Sequence, residues 1–183
     1  MNQQDEQLII SYSKTLLQYL LQLKKEKYPD LTFYVRQQNN NGRLEKGFFF
    51  QGGKYILLGF VDKNDTKGKA CQLGLQYNIL DKNPSVHLHV LFKAEADIRI
   101  IQCYQEIIST FGGFKKKGQD EHYIKPYLET DFIKVVEKFY AEDWNKFKDI
   151  FEKYGLSDTL LISEEKFQSN LRRLSEYSAV VPQ

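Results

Sequence analysis

Three adjacent lysines, Lys115, Lys116 and Lys117, follow a Gly-Gly pair and precede Gly118. A row of like charges cannot all be buried or all paired with acids, and solvated ammonium groups suit contact with phosphate, where affinity comes from release of condensed counterions. The same row also reads as a lysine-guarded sheet edge that resists aggregation. Arg36 and Arg43 stand on either side of Asn39-Asn40-Asn41-Gly42 and extend the candidate phosphate-binding set. Aromatic rings supply the other half of nucleic-acid chemistry, because every base offers a face on which a ring can stack. Tyr34, opposite the apolar positions Phe33 and Val35, and Phe49, within a run of three phenylalanines, are the candidate base contacts. Core packing accounts for each ring more cheaply.

The remaining chemistry-bearing residues form no catalytic pattern. His87 and His89 are two apart, so on a strand they share a face and could hold a metal together with a third ligand. Nothing in the sequence places His122, the other histidine, beside them, and the pair reads as part of a solvated strand. Cys71 and Cys103 are far apart and outside any CxxC spacing, which argues against a zinc site or a disulfide framework and fits a reducing compartment. GxGxxG, GxxxxGK[ST], GxSxG and HExxH are absent, removing the usual signatures of dinucleotide, P-loop, hydrolase and zincin chemistry. Asp30, Glu45, Asp62 and Asp65 are not followed by an E-x-K strand of the restriction-nuclease type. The expectation is a chain that binds, with no catalytic residues, no metal and no cofactor.

These side chains need elements to hold them. From Asp5 to Tyr28, Ile9, Tyr12, Leu16, Leu20 and Leu23 recur at the period of a half-buried helix, and Pro29 closes it. Lys24, Lys25 and Lys27 complement the negative end of that helix. The period then falls to two. Leu31, Phe33 and Val35 predict a strand, the Asn-Asn-Asn-Gly run a turn, and Leu44 through Phe50 a return strand, making a first hairpin in which one of Phe48, Phe49 and Phe50 points away from its neighbours. Further strands are predicted over 54–61, over Leu73, Leu75, Tyr77 and Ile79 with one face wet, and over Val86, Leu88, Val90 and Phe92. The second half is helical: one helix capped by Asp97 and ended by Gly112-Gly113, one opening at Thr130 or Asp131 and ended by Gly155, and one from Ser163 to Tyr177. Between the first two, Phe114 to Tyr127 reads as short edge strands. The fold class is therefore α+β, a twisted antiparallel sheet of about five or six strands built mainly from 31–92 and packed by the N-terminal and C-terminal helices.

Composition bounds the rest. At 183 residues the chain suits one domain, read here as 1–178, with 179–183 a tail of the kind that joins a domain to a further one. The 26 Lys and Arg against 24 Asp and Glu leave +2, too little for a global field to capture a polyanion, so any basic surface must be local. With no signal-peptide pattern and no apolar stretch near the length of a membrane span, the expectation is a cytoplasmic protein without membrane contact.

The stretch Leu31-Thr-Phe-Tyr-Val-Arg-Gln-Gln, followed by Arg43-Leu-Glu-Lys-Gly-Phe-Phe-Phe-Gln-Gly-Gly-Lys-Tyr-Ile, resembles the front of McrB-like restriction proteins, in which an N-terminal domain reads DNA ahead of a GTPase motor. The resemblance implies a DNA-binding specificity module of a restriction or defence system. Such a module recognises a particular or modified site in double-stranded DNA, with a GTPase motor domain and a separate nuclease subunit as partners. The alternative is an α+β domain whose aromatic groove takes a protein segment or a small ligand.

Overall fold

A computed structural model describes residues 2–50, 53–62, 72–118 and 121–177. Helix α1 (Gln3–Glu26) starts from a capping box: the Asn2 side chain accepts from Asp5 N at 2.8 Å, and the Asp5 carboxylate accepts from Asn2 N at 3.4 Å. Its buried stripe is Ile9, Ile10, Leu16, Leu17, Leu20 and Leu23. Lys24 secures the far end, donating to Leu31 O at 2.9 Å and pairing with Glu164 at 2.8 Å.

The predicted first hairpin is not a hairpin. A 3-10 turn (Asn40–Gly42) runs into a single helical turn, α2 (Arg43–Lys46), so Leu44 and Glu45 are helical. The cause is local. Asn41, Gly42 and Gly47 all take left-handed backbone angles, and Asn39 Oδ1 accepts from Leu44 N at 2.9 Å, which caps a helix instead of closing a two-residue β-turn. Because 47–50 is not a regular strand, the alternation rule does not apply there, and Phe48, Phe49 and Phe50 are all buried. The 31–36 segment stays extended. It meets the sheet through one bridge, Tyr34 to Gly59, and the Phe48–Phe50 stretch through Arg36 N donating to Phe49 O.

The sheet contains β1 (Ile56–Gly59), β2 (Gln72–Asn78), β3 (Ser85–Phe92), β4 (Lys115–Lys116) and β5 (Glu121–Pro126), ordered β1-β2-β3-β5-β4 and antiparallel throughout. The 114–127 region thus supplies two strands, of which β5 is interior and β4 is at the edge opposite β1. Between β3 and β4 lies α3 (Ile98–Phe111), capped by Asp97, which accepts from Arg99 N at 2.9 Å, and ended by Gly112. After β5 come α4 (Phe132–Lys138), a π-helical turn (Phe139–Asp143), α5 (Trp144–Lys153) and α6 (Glu164–Ser175). Asp131 and Ser163 cap α4 and α6 with their side chains. Gly155 ends the α4–α5 run in the left-handed conformation.

Directly opposed residues of an antiparallel sheet share a face. One face presents Leu58, Leu75, Leu88, Val86, Val90 and Phe92, all buried, and the helices pack on it. The Tyr77 ring lies 5.2 Å from Tyr12 of α1 and 5.3 Å from Phe132 of α4, and Phe92 meets Tyr104 of α3 edge-on at 5.8 Å. Phe60 continues that face into a ring cluster with Phe139, Tyr140, Trp144 and Phe147. The aromatic surplus of the sequence is used here, at about 1.5–3 kcal/mol for each large apolar side chain buried.

Candidate nucleic-acid interface on the polar sheet face

The other face of the sheet carries its polar strand residues, interspersed with Leu57, Leu91 and Ile124. Tyr34, Gly59, Gly74, His89, Ile124 and Lys115 stand opposite one another in successive pairs, forming one row across the whole sheet. The parallel rows place Gln76 opposite His87 and Leu91 opposite His122. All three histidines of the chain are therefore on this face, with the His89 and His122 rings stacked at 4.5 Å between centroids. The sequence could not place His122, because its position depends on the β3–β5 register set across α3. Among the described residues no group of three or more His, Cys, Asp and Glu side chains is arranged to hold a metal ion.

A directional chain of hydrogen bonds runs along the face. His89 Nδ1 donates to Gln76 Oε1 at 2.8 Å, Gln76 Nε2 donates to Asn78 Oδ1 at 2.7 Å, and Asn78 Nδ2 donates to Ser85 Oγ and His87 Nδ1, each at 3.3 Å. The direction follows from the amide ends: an amide oxygen only accepts, so His89 carries its proton on Nδ1, and an amide nitrogen only donates, so His87 accepts on Nδ1. His87 is then a neutral ring whose remaining donor is Nε2–H. Burial, and next the nearby Lys117 ammonium, hold its pKa below the ordinary imidazole value, with Asp81 acting the opposite way. The network fixes polar groups that are half-buried, apart from the buried His89, so they need no reordering to meet a ligand.

The lysine triplet divides. Lys115 shares the polar face by its pairing with Ile124, and Lys117, whose N donates to His122 O at 2.7 Å, follows the same alternation. Lys116 lies on the helix-packed face, 2.6 Å from the Glu121 carboxylate and with its ammonium 5.7 Å from the centre of the Tyr123 ring. Glu121 raises the pKa of Lys116 by accepting its hydrogen bond. Tyr34, at the opposite end of the row, is half-buried on the polar face, roughly 24 Å from Lys115 at the usual strand spacing of about 4.8 Å.

The two arginines do not join the lysines. They lie beyond the Tyr34 end of the row, and Arg36 ties the loop together, donating from Nε to Phe48 O at 2.9 Å and from Nη2 to Phe50 O at 3.0 Å. Burial, and then the neighbouring Arg43, lower its pKa. The Arg43 guanidinium lies 5.8 Å from the Phe48 ring centre. Phe49, expected as a base contact, is 1% exposed; its ring fills the core because the chain around it is a turn rather than a strand. Asp62 is also inside, its carboxylate paired with Lys166, whereas Cys71 and Asp65 lie outside the described residues.

No helix among the described residues is long and apolar enough to cross a membrane. Comparison of the chain with protein-family models, with curated proteins and with solved structures finds no match, so the resemblance of 31–56 to McrB-like proteins rests on those residues alone.

Proposed function

We propose that the chain is a nucleic-acid-binding module that recognises without cleaving, and that it binds duplex DNA across the polar face of its sheet. The observation that supports this reading is the sharing of one face by Lys115 and Lys117, at the β4 edge, with the hydrogen-bonded stripe of Gln76, Asn78, Ser85, His87 and His89. Edge ammonium groups serve phosphates and set orientation. Preset amides and imidazoles, in contrast, meet base edges, where Asn and Gln suit adenine and a neutral His87 Nε2–H donates to an acceptor. Membership of a restriction or defence system, with a GTPase motor and a separate nuclease as partners, is the finer reading that the McrB-like resemblance adds.

The test is fluorescence anisotropy with labelled duplexes, modified and unmodified, at rising salt. The expected result is binding whose logarithm falls linearly with the logarithm of salt concentration, with a slope of about −0.9 for each phosphate contacted. A shallow slope is expected, because the lysine triplet puts only Lys115 and Lys117 on this face. Absence of binding at low salt ends the DNA reading in favour of a protein-binding or small-ligand-binding domain.

A further inference from the structure

At the sheet edge farthest from the lysines, α6 lies beside Gln37 and a pocket of about 420 Å³ opens between them. Its lining includes Gln37, Lys166, Ser169, Asn170, Arg172 and Arg173, and Glu176 is the one carboxylate among the described lining residues. Asn170 is 4% exposed, and its Oδ1 accepts from Gln37 Nε2, while its Nδ2 is buried with no hydrogen-bond partner. An unpaired buried amide group is costly, and native folds keep few of them. Two cations lie alongside. Arg172 and Arg173 are exposed and make no ion pair among the described residues, whereas Lys166 is engaged with Asp62.

We infer that this pocket binds a phosphomonoester carried on a small organic body, such as a nucleoside 5′-phosphate, either free or at the end of a nucleic-acid strand. The guanidinium forks of Arg172 and Arg173 match the paired oxygens of a phosphate. Ser169 Oγ is a further donor, and Asn170 lines the same pocket. The pocket's volume of about 420 Å³ leaves room beside a phosphate for an attached organic body. Glu176 sets the polarity, because it repels the phosphate and can accept from a hydroxyl or amine on the attached body. The site is separate from the polar sheet face, and its occupation does not depend on that face binding DNA.

Calorimetry with inorganic phosphate, adenosine 5′-monophosphate, and a short single strand bearing either a 5′-phosphate or a 5′-hydroxyl tests the inference. The expected result is that the nucleotide or the phosphorylated strand binds more tightly than inorganic phosphate. Arg172→Gln with Arg173→Gln is expected to weaken it about tenfold or more, while Lys115→Gln with Lys117→Gln leaves it unchanged. Binding of the nucleotide itself marks a free ligand, and binding of the phosphorylated strand alone marks a strand end. As a second readout in the unmodified protein, the Asn170 side-chain amide resonances, assigned through Asn170→Ser, shift on titration. The inference is overturned by no binding of either phosphorylated probe, by equal binding of the hydroxyl strand, by affinity that survives loss of both arginines, or by Asn170 resonances that do not move.

Discussion

Lys115 and Lys116 are neighbours in sequence, yet they point to opposite faces of the edge strand β4: Lys115 pairs with Ile124 in the row of His89, and Lys116 pairs with Tyr123 in the row of Val90. If DNA lies on the polar face, the triplet is not a uniform charge patch. Lys115→Gln with Lys117→Gln is expected to flatten the salt slope of duplex binding by roughly 0.9 for each phosphate no longer neutralised and to weaken all sequences alike, since phosphate contacts carry no sequence information. Lys116→Gln is expected to leave affinity unchanged and to alter stability little, because an ion pair this exposed to solvent contributes little. Anisotropy titrations of the two variants check this, and equal weakening by both would rule out the polar face as the DNA site.

His87 gives the polar face a pH dependence of known sign. Burial and the Lys117 ammonium depress its folded-state pKa below 6.5, so below that pH the unfolded chain takes up a proton that the folded chain resists. This group's contribution is therefore fully present above about pH 6.5 and is lost as pH falls from there towards the folded value. Lys117→Gln removes one depressing charge and should raise the His87 midpoint seen by NMR titration. His87→Gln should flatten the acid limb of a denaturation series. A His87 midpoint that Lys117→Gln does not move would separate the two residues.

Much of the fold was legible in local patterns, whereas the site needed register. Helix α1 could be read from the period of Ile9, Leu16, Leu20 and Leu23, and the starts of α3, α4 and α6 from Asp97, Asp131 and Ser163, because a cap and an apolar stripe act within a turn or two of the chain. The 31–50 region misled because the Asn-Gly run that favours hairpins also tolerates the left-handed angles that admit a helical turn, and Asn39 capping Leu44 decides between them. The opposite faces of Lys115 and Lys116 follow from strand alternation once β4 is accepted. The meeting of His89 with His122 does not, since it needs β5 inserted between β3 and β4. The pocket at Asn170 was silent for the same reason, because Gln37 and α6 meet only in three dimensions.

Gly74 tests that register directly. A Cβ built there would lie 2.3 Å from Leu58 O and 3.0 Å from Gly59 Cα, both rigid backbone atoms, whereas one built on Gly59 would meet Tyr34 Cβ at an ordinary 3.6 Å. Gly74→Ala is therefore expected to destabilise the fold by about 1–3 kcal/mol through overpacking, and Gly59→Ala by clearly less. Urea denaturation of both variants measures the difference. Equal midpoints would mean that β1 and β2 do not approach as closely as Leu58 and Gly74 do here.

Cys103 is fully buried on the core face of α3, and burial pushes its thiol up to about 12, with Glu106 adding to the shift. The reactive form of a cysteine is the thiolate, and at neutral pH this site offers almost none, behind a shell of packed side chains. Alkylation by iodoacetamide, followed residue by residue with mass spectrometry, should therefore leave Cys103 unmodified under native conditions and label it at the rate at which the core opens. Urea concentrations that unfold the chain should raise that rate in step with the loss of helical signal. Rapid native labelling of Cys103 would show that α3 separates from β3 without global unfolding, and the Phe92–Tyr104 contact would then be the place to look for that motion.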